Sequence, residues 1–128
     1  MIHLDTSLLV DALTGPRRSA AALRAAIESG ERIVASTIVL YEWLRGPRRT
    51  AELAVQEALF PLDAAVAFGP EEARRAADIY RRLPRARGRE VDVAIAACAI
   101  AHDAQLWTLN VADFRDVPGL ALYTAVAR

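Results

Sequence analysis

The hydrophobic positions of this chain fall into short runs that alternate with longer stretches of helical periodicity. Met1 to Leu4 is an apolar start that ends at Asp5 and predicts a first strand. Ser7 to Leu13 predicts a brief helix, stopped by Gly15-Pro16. From Arg17 to Ser29 the pattern is helical, with Ala20, Leu23 and Ile27 on one face and Gly30 as the stop. Ile33-Val34-Ala35 predicts a second strand, after which Ser36 or Thr37 caps a helix through Leu44, ended by Gly46-Pro47. Another helix runs from about Thr50 to Leu59, and Leu62 to Val66 reads as a possible third strand. Gly69-Pro70-Glu71-Glu72 is a strong helix start, with proline early and acids in the first turn. Ala73, Ala76, Ala77, Tyr80 and Leu83 mark its apolar stripe, and Glu71/Arg75 and Asp78/Arg82 pair outside it. Val91 to His102 is apolar nearly all round, which predicts a buried helix. Gln105 to Leu109 gives a fourth strand and Leu120 to Thr124 a weaker fifth. Strands alternating with helices imply an α/β fold, a parallel sheet covered on both faces. Ligands of such sheets sit beyond the carboxyl ends of the strands.

Composition narrows the class. At 128 residues and 54% hydrophobic content, the expectation is one domain over residues 1–128 with a real core. Sixteen basic and sixteen acidic residues cancel, so nucleic acid would have to be held by a local patch and not by the field of the whole molecule. Every basic residue is Arg, which suits phosphate and carboxylate but, in so Ala-rich a chain, reads more simply as coding bias. The single Cys98 lies in the apolar run VDVAIAACAIA and reads as a small buried filler suited to a reducing cytoplasm. MIHLDTS lacks the features of a secretory signal, and the apolar run Val93 to Ala101 is too short to span a bilayer, so a cytoplasmic location is expected.

Four acids stand out because each lies in an apolar or turn-like setting near a strand-to-helix junction: Asp5, Glu42, Asp92 and Asp113. A carboxylate facing a core is costly unless a cation pairs with it. Each also has a plainer reading. Asp5 could cap the helix near Ser7, although Thr6 or Ser7 could cap it instead. Glu42 could be a surface acid beside Arg45. Asp92 is favoured in a first helical turn by roughly 0.3–1 kcal/mol, and Glu90 competes with it as a ligand. Asn110 and Asp113 could form only a turn and a cap. Asp103, about 16 Å along the helix from Asp92, cannot share its site, and Asp116 reads as a solvent acid.

Taken together, the blocks HLDTSLLVDAL, STIVLYEWLRG, REVDVAIAACAIAHDAQLWTLNVADF and VPGLALY resemble the PIN-domain ribonucleases, specifically the VapC-type toxins of type II toxin–antitoxin systems. The D-x-x-I-A-A helix followed by the T-x-N-x-x-D-F turn is the most specific part. The resemblance implies a three-layer fold with four to five parallel strands in the order 3-2-1-4-5. It implies Asp5, Glu42, Asp92 and Asp113 as catalytic acids, with Thr6, Thr108 and Asn110 in support and Ser7 where Asn is often found.

The chemistry implied is a magnesium- or manganese-dependent endoribonuclease that attacks a phosphodiester in line with a metal-activated water. Such hard ions take oxygen ligands, which matches an Asp/Glu set without His or Cys. Asp5 and Asp92 are the expected direct ligands, with Glu42 and Asp113 binding directly or through water. His3 and His102 read as packing residues and not as an acid–base pair. Arg81, Arg82, Arg85, Arg87 and Arg89 offer a track for RNA or a contact for an acidic partner, and Tyr41, Trp43 and Trp107 are possible stacking surfaces. The resemblance further implies a cognate antitoxin that neutralises the toxin, and a homodimer. Two other classes remain: a non-catalytic binding module on the same fold, and a phosphatase, for which the Asp two residues after Asp5 is missing.

Overall fold

At the centre lies a parallel sheet whose middle strand, β1 (Ile2–Leu4), is buried at every position. The computed structural model describes residues 1–125. β2 (Ile33–Val34) pairs with one side of β1, with Ile2 opposite Ile33; β3 (Gln105–Trp107) pairs with the other, with Ile2 opposite Gln105. β4 (Ala121–Leu122) closes the far edge against β3. Parallel neighbours need crossovers, and helices supply them. α1 (Thr6–Leu13) and α2 (Ala20–Glu28) connect β1 to β2. α3 (Thr37–Arg45), α4 (Thr50–Leu59), α5 (Pro70–Arg82) and α6 (Glu90–Ala101) connect β2 to β3. Alternation sends Ile2 and Leu4 to one face of the sheet and His3 to the other, and all three are at most 1% exposed. Both faces are therefore covered, as the near-continuous apolar strands require.

Several expectations need correction. The third strand is absent: Leu62–Ala64 is a 3₁₀ turn, and only Val66 meets the sheet region, in a single parallel bridge to Ser36. Pro61 enters this segment without an N–H to donate, and Gly69-Pro70 starts α5 only three residues after Val66, so no length is left for a ladder. The sheet thus has four strands in the order β2-β1-β3-β4. The second helix starts at Ala20 and not at Arg17, because Gly15 and Arg17, on either side of Pro16, both take positive φ in a turn. Asp11 accepts a 2.6 Å bond from the Ser19 hydroxyl and holds this turn against α1. On α5 the buried line runs through Ile79 and Leu83, while Ala73, Ala77 and Tyr80 are exposed. The stripe is rotated by one position because α5 turns its bulkiest aliphatic side chain to the core. The fourth and fifth predicted strands shorten to Gln105–Trp107 and Ala121–Leu122.

The helices bind through large side chains on α1 and α3 and small ones on α6. Leu8, Leu9, Val39, Leu40 and Trp43 are fully buried, and so are Ala96, Ala97, Cys98 and Ala99. The alanines let α6 lie close to its neighbours, and burial raises the Cys98 thiol to a pKa of about 11, which makes it an inert filler. Trp43 is held from outside by Arg48, whose guanidinium lies 4.2 Å from the ring centroid and whose Nε donates to the Trp43 carbonyl at 2.9 Å. Truncation of Trp43 to Ala should therefore cost about 3–5 kcal/mol, read as a lower urea midpoint; a loss below 1 kcal/mol would contradict this packing.

His3 is a buried ring stacked on His102, with centroids 5.3 Å apart, and its Nε2 has no partner among the described residues. Burial first, then the positive charges of His102 and the chain N-terminus, lower its pKa to about 4. The unfolded chain, with an ordinary His near 6.5, takes up a proton over a range where the native state does not. Stability from this group is therefore complete above pH 6.5 and is lost as pH falls toward 4, by about 3 kcal/mol in all. His3→Phe should flatten that acid limb in urea titrations between pH 4 and 6.5; an unchanged slope would show that another group sets it.

Candidate active site

Because β1 and β3 are adjacent and parallel, the residues that follow them emerge at the same edge of the sheet. Asp5 extends the ladder by one bond, its N–H donating to the Trp107 carbonyl at 2.9 Å. It stands at the N-cap position of α1, yet its side chain makes no capping bond. The carboxylate, 4% exposed, instead accepts from the Ser7 and Thr108 hydroxyls, each at 2.7 Å. Those hydroxyls in turn accept from the following turn: Leu109 N–H donates to Ser7 at 3.1 Å and Asn110 N–H to Thr108 at 2.9 Å. Asp5 is thus fixed by a two-hydroxyl relay that also sets the path of the chain after β3. Ser7 fills the supporting place that the resemblance often gives to Asn.

Glu42 projects from α3 into the same region. Its Oε1 accepts from Thr6 at 2.5 Å, and its Oε2 faces Arg45 at 3.4 Å. The surface pair with Arg45 exists, but it occupies the outer oxygen, while the inner one is turned to the residue beside Asp5. Asp92 lies in the first turn of α6 and is half-buried. Desolvation, followed by the negative charges of Asp5, Asp113 and Glu42, raises its pKa to about 6; Arg89 acts in the opposite direction. Asp113 ends the 3₁₀ turn Val111–Asp113 and is exposed, with its carbonyl held by Arg89 at 2.7 Å. Asn110 occupies the N-cap position of that turn and makes no side-chain capping bond.

The four acids therefore form one electrostatic neighbourhood centred on Asp92. Among the described residues, however, no group of three His, Cys, Asp or Glu side chains stands close enough to hold one ion as placed. Like charges repel, by roughly 1 to 4 kcal/mol for a pair about 4 Å apart in effective dielectrics of 80 to 20. The donor set is all oxygen, which fits a hard divalent cation. The half-buried charge on Asp92 is also short of compensation, since the nearest guanidinium, that of Arg89, is committed to Asp116.

The remaining candidates separate clearly. Glu90 turns away: its carboxylate accepts from the Gly88 N–H at 3.2 Å and from the Tyr80 hydroxyl at 3.5 Å, and backbone amides keep its pKa below the ordinary range. Asp103 sits past the far end of α6. Asp116 is no idle solvent acid. Arg89 grips it through both guanidinium nitrogens at 2.9 and 2.6 Å, a pair 27 residues apart with no local signature in the chain. Arg81 and Arg82 are paired with Asp78 on α5, while Arg85 and Arg87 are exposed and carry no carboxylate partner among the described residues. Trp43 and Trp107 are core residues, and Tyr41 is 57% exposed on the same helix as Glu42.

Comparison with known proteins agrees with the fold. Residues 2–120 match the family model of the PIN domain. The chain is 40% identical over 119 residues to ribonuclease VapC19 of Mycobacterium tuberculosis, covering 91% of this chain and 94% of that protein. Among solved structures, the fold is similar to DNA-bound VapBC from Salmonella typhimurium, with a TM-score of 0.80, 22% identity and 95% and 96% of the two chains covered. It is also similar to VapBC2 from Rickettsia felis bound to a promoter DNA fragment, with a TM-score of 0.76, 23% identity and 96% and 98% covered. A four-stranded parallel sheet, a family match over nearly the whole length and a relative 40% identical lead to one conclusion: the chain belongs to the PIN-domain family, and within it to the VapC type.

Proposed function

We propose that this chain is a divalent-metal-dependent endoribonuclease toxin, cutting RNA phosphodiesters by attack of water and neutralised by a cognate antitoxin. The observation that carries the reading is the half-buried Asp92, its pKa raised by desolvation and then by the charges of three other carboxylates. Such an arrangement is unfavourable alone and becomes favourable around a cation. Asp5 and Asp92 would hold magnesium or manganese, with Glu42 and Asp113 completing the set directly or through water. A bound ion of this kind polarises a phosphate oxygen and lowers the pKa of water.

The chain's own groups supply position. The Ser7 and Thr108 hydroxyls keep both donated hydrogens on Asp5, so its carboxylate cannot swing to cap α1. Thr6 holds the inner oxygen of Glu42 beside Asp5. Thr6, Ser7, Leu109 and Asn110 also line a cleft of about 420 Å³ that opens next to the acids and continues to Arg18, room for RNA to approach. Arg85 and Arg87 are the members of the arginine-rich segment free to meet phosphate. For the antitoxin, an apolar cleft of about 550 Å³ between α2 and α4, bordered by Ile27, Val55 and Leu59, offers a partner surface.

Asp92→Asn should abolish metal-dependent cleavage of a mixed RNA substrate while raising the metal-free melting temperature, since it removes a charge clash. Cleavage at the wild-type rate would refute the assignment. The same group predicts a pH dependence of opposite sign to that of His3. Because its pKa rises from the ordinary 3.9 to about 6 on folding, the native state binds the extra proton, so its contribution to stability falls as pH rises from about 4 to 6. In metal-free protein, Asp92→Asn should therefore make stability rise more steeply with pH across that window, exposing the His3 limb alone.

Magnesium or manganese at 100 times its dissociation constant should stabilise the fold by about 2.7 kcal/mol, a rise of several degrees in melting temperature that EDTA reverses. Identical melting curves with and without millimolar metal would argue directly against a metal centre.

A further inference from the structure

Arg89 sits one helical turn before Asp92, at the start of α6, and reaches across to the chain segment that follows β3. One guanidinium nitrogen donates to Asp116 Oδ2 at 2.9 Å and to the Arg85 carbonyl at 3.2 Å. The other donates to Asp116 Oδ1 at 2.6 Å and to the Asp113 carbonyl at 2.7 Å. This is a fork-on-carboxylate pair with a main-chain oxygen added to it, a geometry that lysine cannot reproduce. The guanidinium side chain is only 21% exposed.

The grip falls where the site is otherwise least secured. Asp5 is pinned by two hydroxyls and Glu42 by Thr6. Asp113 lies on a three-residue turn, is exposed, and its carboxylate has no hydrogen-bond partner among the described residues. Its own N–H bonds only to Asn110, within the turn. Between the Asp113 backbone and α6, Arg89 is the tie, and α6 carries Asp92.

We propose that Arg89 is a positioning residue: clamped by Asp116, it grips the Asp113 carbonyl and thereby fixes the Asp113 carboxylate relative to Asp92. This inference rests on the reading of the acids as a metal site. It makes a prediction whose sign separates position from charge. Arg89 brings a positive charge close to the acids, so electrostatics alone would have its removal tighten the binding of a divalent cation. If its work is to hold Asp113 in place, its removal must loosen binding instead. Supporting groups around ligands typically change metal affinity by about 10- to 100-fold when lost.

The test is titration of the full chain with Mn²⁺ alone, followed by calorimetry, together with amide hydrogen exchange of the metal-free protein. Arg89→Ala and Asp116→Asn should each weaken Mn²⁺ binding by about tenfold, and Arg89→Lys should fail to restore it. Added to Asp113→Asn, Arg89→Ala should have little further effect, because it acts through that residue. In the metal-free chain, exchange at Asp113 should accelerate in Arg89→Ala while the α6 amides from Ile95 to Ala99 keep their protection, which reports that the fold persists. Mn²⁺ binding as tight as or tighter than wild type in Arg89→Ala, or unchanged exchange at Asp113, overturns the inference and leaves the metal site standing. A wild-type chain that binds no Mn²⁺ overturns both. Asp116→Asn, a change at a half-exposed surface acid, repeats the test without disturbing the helix.

Discussion

Asp5, Glu42 and Asp113 all act on Asp92 by like charge, and several neutral donors hold two of these carboxylates in place. The parallel pairing of β1 with β3 is the first requirement, since it brings the residue after each strand to a common edge and places Asp5 beside Thr108. Hydroxyls then do the holding. Ser7 and Thr108 occupy one oxygen of Asp5, Thr6 occupies one of Glu42, and each is a neutral donor that compensates a carboxylate without cancelling its charge. The carboxylate left with a strongly raised pKa is Asp92, which is half-buried and has no such donor among the described residues. The negative charge is thus concentrated where the floor of the site meets α6.

The cations obey a complementary rule. Arg45 faces the outer oxygen of Glu42, and Arg89 is turned outward to Asp116. Both are near the acids, yet neither guanidinium forms a salt bridge with Asp5 or Asp92. A guanidinium inserted between those two would satisfy the charge that the proposed metal ion would otherwise meet. The long-range pair with Asp116 keeps Arg89 available as a tie and out of the centre.

Much of this was legible in the chain. The parallel α/β class follows from short apolar runs alternating with helical stretches, and the buried character of α6 from its apolar residues on every side, while the central place of the first strand came from the motif resemblance. Motif resemblance located the acids more firmly than any single residue, because Asp5, Glu42, Asp92 and Asp113 each had an adequate local explanation as a cap, a surface acid or a turn residue. What escaped was set by tertiary contacts. Leu62 to Val66 is apolar enough for a strand, but Pro61 and the start of α5 leave room for one bridge only. Tyr80 and Ile79 are equal claimants to a helical stripe until the direction of α6 is known. The bond between Arg89 and Asp116 spans 27 residues and follows no periodicity, so an arginine that looked like part of an RNA track proved to be occupied.

The shaft of α6 has a consequence for how such a site can change over time. Ala96, Ala97, Cys98 and Ala99 touch neighbours on every side and leave no space for a larger side chain. Solvent reaches the helix at its two ends, most openly at the entrance around Glu90 and Val91. Larger side chains can therefore be accommodated at that entrance and at the turn opposite it, while the shaft behind has no room for them.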